Sequence, residues 1–237
     1  MSARFEELAW RETPIGTISL RRRWDPVAKT DVHEVKLDDE FLMSSLFTVA
    51  EAELARTGLA AAPDEELAVV VGGLGLGHTA ATALEDSRVR SLLVVEALDA
   101  VIDWHRQHLV PLGPELTADA RTHLVHGDFF EMVRSGTGFD PEAVGRRCHA
   151  VLLDIDHSPR HVLDPSHEPF YTAEGLQRIA DRLHPGGVFA LWSNDPPDED
   201  FRAVLDEVFA SAQAHVVPFA NPYGGESSNT VYVAVRG

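Results

Sequence analysis

The chain has 237 residues, enough for one sizeable domain with a small appendage. Its 38 Asp and Glu outnumber 20 Lys and Arg, a formal charge of −18, so its surface repels phosphate backbones and anionic headgroups. The composition therefore speaks against nucleic acid and membranes as partners and favours small or cationic molecules. A single cysteine, Cys148, allows no internal disulfide, which points to a reducing cytoplasm. No apolar run reaches the roughly 20 residues of a membrane helix, and Met1–Trp10 is too polar for a signal peptide.

The first sixty residues differ in pattern from the rest. A strand is expected at Gly16–Arg22, a turn around Asp25-Pro26, a second strand at His33–Leu37 and a helix from about Asp39 to Thr57. Gly58 and Pro63, with alanines between them, mark a junction. We therefore expect a small β/helix appendage over 1–60 and a main domain over 61–237. From Leu67 onward short apolar runs alternate with helical stretches, the pattern of a parallel sheet covered by helices. Strands are expected at Leu67–Val71, Leu92–Val95, Thr122–Val125, Ala150–Leu153 and Val188–Trp192. Helices are expected near His78–Glu85, Leu98–His108, Thr172–Leu183 and Asp198–Ser211. Leu67-Ala68-Val69-Val70-Val71 is apolar at every position, which suits a strand buried on both faces. His184-Pro185-Gly186-Gly187 is a helix stop ahead of the fifth strand. His215–Phe219 and Thr230–Val235, joined by a Gly-rich loop, read as an antiparallel hairpin.

Val69-Val70-Val71-Gly72-Gly73-Leu74-Gly75-Leu76-Gly77-His78 is a buried strand that runs through glycines into a helix. Such a loop turns sharply, lets backbone approach a ligand and presents free N–H groups, or serves simply as a tight turn. The next strand ends in Val94-Val95-Glu96, a carboxylate placed to accept both hydroxyl hydrogens of a ribose. The third ends in Val125-His126-Gly127-Asp128, where an acid can read an adenine amino group. A helix N-cap is the alternative for Asp128.

These segments resemble the spermidine synthase-like family of class I S-adenosylmethionine-dependent transferases. The resemblance rests on the glycine loop, Glu96, Gly127-Asp128-Phe129-Phe130-Glu131, the Phe170-Tyr171 pair seventeen positions after Asp154, and Asp39-Glu40-Phe41. It implies a Rossmann-like α/β fold: a seven-stranded, mostly parallel sheet with a C-terminal hairpin, and a small N-terminal β appendage. It also implies that Gly73, Gly75, Gly77, Glu96, Asp128 and Phe129 contact S-adenosylmethionine or its decarboxylated form.

The chain departs from the family where aminopropyl transfer is decided. Asp154-Ile155-Asp156-His157 keeps the first active-site Asp of the family's Asp-Ser-Ser/Thr-Asp segment but carries His157 at the second. Met43-Ser44-Ser45 replaces Tyr-His-Glu, and Gly75 replaces the loop Asp that favours a decarboxylated cofactor. A carboxylate at Gly75 would repel a cofactor bearing a carboxylate of its own.

We therefore expect methyl transfer from S-adenosylmethionine to a small-molecule acceptor. Asp154, Asp156 and His157 are the candidate catalytic groups, and Tyr171, Trp192, Asn194 and Tyr223 the candidates for substrate binding. His157 reads equally as an ordinary loop histidine. A metal cluster built from His157, His161 and His167 with Asp154, Asp156 and Asp164 lacks the short ligand spacing of zinc motifs, and no metal is expected. Aminopropyl transfer to an amine, as in polyamine synthesis, and a non-catalytic nucleoside-binding role are the alternatives. A homodimer stands among the assemblies considered.

Overall fold

The computed structural model describes residues 5–13 and 16–237. At the N-terminus, β1 (Phe5–Thr13), β2 (Gly16–Asp25), β3 (Thr30–Leu37) and β4 (Glu40–Ser44) pair in that order as an antiparallel sheet. Alternation sets its faces: Ile18, Leu20 and Val35 are buried on one, while on the other Arg21 and Arg23 each donate to the Glu34 carboxylate on the neighbouring strand at 2.7 Å. Between β2 and β3 the Asp25 carboxylate accepts the N–H groups of Val27 and Ala28 at 2.9 Å, closing the turn expected there.

The chain continues through α1 (Val49–Ala60), β5 (Leu67–Gly72), α2 (His78–Glu85), β6 (Val89–Glu96), α3 (Asp99–Arg106), α4 (Gly113–Ala118) and β7 (Thr122–His126). It then forms α5 (Phe129–Ser135), β8 (Cys148–Leu153), a 3-10 helix over Pro165–Tyr171, α6 (Ala173–Ala180) and β9 (Leu183–Ser193). The closing elements are α7 (Glu199–Val208), β10 (Ser211–Ala220) and β11 (Glu226–Val235). A seven-stranded sheet results, in the order β10-β11-β9-β8-β5-β6-β7, with β5 to β9 parallel and the final hairpin reversed. The continuous apolar runs are explained by cover on both sides. Val69, Val71 and Leu152 pack against α1, α2 and α3, whereas Val70, Val151 and Leu153 pack against α5, α6 and α7. Ile18, Leu20 and Val35 of the small sheet join the first of these clusters.

The structure corrects several expectations. Phe5–Thr13 is a strand that the sequence reading passed over. The segment from Asp39, read as the opening of a helix, is instead β4, which pairs Phe41 with Lys36 and Met43 with Val35. Asp38 takes the left-handed conformation at φ 51°, one that Asp tolerates better than most residues, and this lets the chain reverse before a helix can start. The helix begins only at Val49. β9 already starts at Leu183, so His184–Gly187 lies within that strand rather than between a helix and a strand.

Gly58 sits in the last turn of α1, not at a junction. A Cβ there would lie 2.8 Å from Leu152 Cδ2 and 3.0 Å from Ala190 Cβ, so its absence lets α1 seat closely on β8 and β9. Gly58→Val is expected to cost about 1–3 kcal/mol through overpacking, read as a lower melting temperature. A variant as stable as the parent would show that the helix can lift away without loss.

Candidate active site

The carboxyl ends of β5, β6, β7 and β8 meet at one edge of the sheet. After Gly72 the chain turns at Gly73, with φ 94° and its N–H donated to the Val95 carbonyl at 2.9 Å, and α2 opens at His78. A Cβ on Gly73 would collide with the Asp154 carbonyl, and one on Gly77 with Leu116 and the His105 ring. These two glycines are demanded by the chain's own packing. Gly75 differs, since a Cβ there would meet only the flexible Met43 side chain, with Sδ at 2.9 Å. His105 is fully buried and its Nε2–H donates to the Gly75 carbonyl at 2.9 Å. Burial lowers its pKa, which favours the neutral ring and leaves the hydrogen bond to fix the Nε2–H tautomer.

Glu96 ends β6 beside this loop. Its Oε2 accepts the Leu74 N–H at 3.0 Å and its Oε1 the Leu98 N–H at 2.9 Å, so the carboxylate ties the glycine loop to the start of α3. The backbone N–H groups of Gly75 and Ala97 also face it, so a ligand hydroxyl would share the carboxylate with these donors. Burial raises its pKa, opposed by these backbone donors. Asp128, one strand over, is exposed and caps α5 by accepting the Glu131 N–H at 3.0 Å through Oδ1. Its Oδ2 has no hydrogen bond to any described residue. The cap and a ligand contact are thus compatible. A loop whose backbone is held open by glycine, followed by carboxylates at the next two strand ends, fits a nucleoside cofactor.

Asp154 follows β8 and is positioned by its own N–H, donated to the Gly72 carbonyl at 2.8 Å. Thr79, in the first turn of α2, donates Oγ1–H to Asp154 Oδ2 at 2.7 Å. Glu51 in the first turn of α1 adds a second carboxyl on this side of the sheet. Burial, and for Glu51 the repulsion of Asp154 as well, raises the pKa of both groups, with the Thr79 bond pulling Asp154 back down. Sequence reasoning passed over Glu51, Thr79 and His105. Thr79 sits two residues past the glycine loop and was within reach of it; the other two become neighbours of the site only through folding.

Leu153 pairs with Leu191, so one residue further Asp154 and Trp192 lie side by side on the sheet face that α1 covers. Trp192 and Asn194 line an open cavity of about 470 Å³ with Phe47, Phe219, Asn221, Ser227, Ser228 and Asn229. Tyr223 is largely exposed, and its hydroxyl donates to Asp25, fastening the β10–β11 loop to the N-terminal sheet.

Other sequence candidates are engaged in the chain's own packing or stand apart from the glycine loop. Asp156 is 1% exposed and its carboxylate is fully engaged: Oδ1 accepts the Leu163 N–H at 2.8 Å and pairs with His167 Nδ1 at 2.9 Å, and Oδ2 accepts the Tyr171 hydroxyl at 2.7 Å. Asp156 and Tyr171 thus bind the Ile155–Tyr171 segment together and offer nothing to an acceptor. Phe129 is 2% exposed, stacked on Phe139 with ring centres 5.1 Å apart, within the apolar cluster on the α5–α7 side. Its side chain leaves little surface for a cofactor. His157 is half-buried, its carbonyl accepts the Asn194 N–H at 2.7 Å, and its ring makes no hydrogen bond to the described residues.

No protein-family model and no curated protein matches the chain. Solved structures do. Spermidine synthase from Thermotoga maritima aligns over 98% of this chain and 73% of its own, at 19% identity and a TM-score of 0.73. A spermidine synthase in complex with the transition-state analogue AdoDATO aligns over 98% and 74%, at 19% identity and a TM-score of 0.74. Human methyltransferase-like protein 13 in complex with SAH aligns over 79% and 82%, at 19% identity and a TM-score of 0.58. The chain has the spermidine synthase-like fold of the class I S-adenosylmethionine-dependent transferases.

Proposed function

We propose that the chain binds S-adenosylmethionine at the glycine loop, Glu96 and Asp128, and transfers its methyl group to a small acceptor seated beside Trp192. The observation that carries this reading is Gly75: the space its side chain would fill meets only Met43, and no carboxylate is carried at that loop position. When bound, the cofactor supplies a methyl group on a sulfonium, and the carbon–sulfur bonding pair returns to sulfur as the acceptor's lone pair makes the new bond. The protein's task is alignment, exclusion of water and acceptance of one proton. Glu96 holds the ribose and keeps the loop in shape. Asp154, fixed by Thr79, takes the proton that a hydroxyl or amine acceptor sheds on attack.

Aminopropyl transfer to a diamine has less support. It requires carboxylates for the far ammonium and for deprotonation of the near amine, and Asp156, the residue best placed in sequence to replace them, is locked by three hydrogen bonds.

Thermal shifts with each cofactor test the reading. S-adenosylmethionine is expected to raise the melting temperature more than its decarboxylated form, and Gly75→Asp to reverse that order. The variant also pays a small strain for a side chain at φ 50°, so the comparison is made between ligands within each protein. Stabilisation of the parent by the decarboxylated form alone would refute methyl transfer.

A further inference from the structure

We propose that the cavity beside Trp192 takes an uncharged, flat acceptor, an aromatic carboxamide bearing a hydroxyl, and rejects polyamines. This rests on the transferase reading above and names its substrate class. The cavity, about 470 Å³, suits a small organic molecule, and no charged side chain lines it. Its apolar walls are the rings of Trp192, Phe47 and Phe219, the last two with centres 5.9 Å apart.

Its polar wall is an amide pair. Asn229 is 7% exposed, and its Nδ2–H donates to Asn194 Oδ1 at 3.0 Å. That single bond leaves Asn229 Oδ1 and Asn194 Nδ2–H without partners among the described residues. If both amides were turned over, the pair would still offer one donor and one acceptor. A primary carboxamide carries the complementary donor and acceptor on one flat group, and an attached ring matches the aromatic walls.

A diammonium ion finds none of its needs here. Nearby carboxylates are already used: Asp25 by Arg23 and Tyr223, Asp195 by His161. Asp154 and Glu51 do not line the cavity, and burial raises the pKa of both, which favours their neutral forms over a clamp for two positive charges. Aromatic faces alone compensate poorly for stripping water from an ammonium group.

Titration calorimetry with 4-hydroxybenzamide and with putrescine, each with and without S-adenosylhomocysteine, tests this. The amide is expected to bind the parent protein and putrescine not. Asn229→Leu should weaken the amide at least about tenfold through the lost hydrogen bond. Asn229→Asp, nearly identical in volume and therefore the safer variant for folding, should weaken the amide and gain putrescine binding. Putrescine binding the parent as tightly as the amide, absence of amide binding, or amide affinity unchanged in Asn229→Asp would overturn the proposal. Amide binding without any melting shift from S-adenosylmethionine or S-adenosylhomocysteine would sink the transferase reading and leave the preference of the cavity standing.

Discussion

Glu96→Ala is expected to weaken S-adenosylhomocysteine binding at least about tenfold and to lower the melting temperature. The affinity loss follows from removing a charged acceptor of ribose hydroxyls, where each such hydrogen bond is worth about 1.5–3 kcal/mol and 1.4 kcal/mol is a factor of ten. The stability loss follows from the present structure: without the carboxylate, the N–H groups of Leu74 and Leu98 lose their partner, and the glycine loop loses its tie to α3. Calorimetric affinity and melting temperature therefore report different halves of the role. A variant that melts early yet binds as tightly as the parent would make Glu96 a loop brace and move the ribose elsewhere.

The same distinction explains how far the sequence could be read. β5, β6, β8 and β9 were legible because burial writes apolar runs into them, and the strand-end positions of Glu96 and Asp154 follow once such strands are parallel; β7, the half-exposed edge strand, carries a weaker signal. β4 was not legible. Asp39-Glu40 has the look of a helix start, and only the left-handed Asp38 and the pairing with β3 make it a strand. Asp156 misled for a related reason. Two positions after Asp154 it shares that residue's apparent chemistry, yet the chain turns it toward His167 and Tyr171, groups eleven and fifteen residues away that no local pattern ties to it. Glu51 left no signal at all, because an acidic residue in the first turn of a helix is ordinary on dipole grounds and its proximity to Asp154 exists only in three dimensions.

Glu51 and Asp154 should contribute a loss of stability as pH rises. Both carboxyls are harder to ionise in the folded chain than in the unfolded one, through burial and, at Glu51, repulsion between the two. At these two groups the folded state then holds more protons than the unfolded state above about pH 4, where free carboxyls titrate, and their contribution to stability declines from there into the neutral range. Glu51→Gln removes one of the two charges and is expected to flatten that decline. Asp154 owes its own rise to burial and ionises while Glu51 is still protonated, so the acidic limb of the rate profile should stay in place and the limiting rate change little. Asp154→Asn, which cannot take a proton, is expected to cut the limiting rate at least about a hundredfold with S-adenosylhomocysteine affinity preserved. Melting temperatures across pH 4–9 give the first result before any acceptor is known, and turnover with an identified acceptor gives the second. Because buried histidines and ion-paired carboxylates push the other way, the comparison is between proteins: identical pH–stability curves for the parent and Glu51→Gln would mean that the carboxyls do not share a buried site. Undiminished turnover in Asp154→Asn would assign the proton to another group, with the half-buried imidazole of His157 the next to replace.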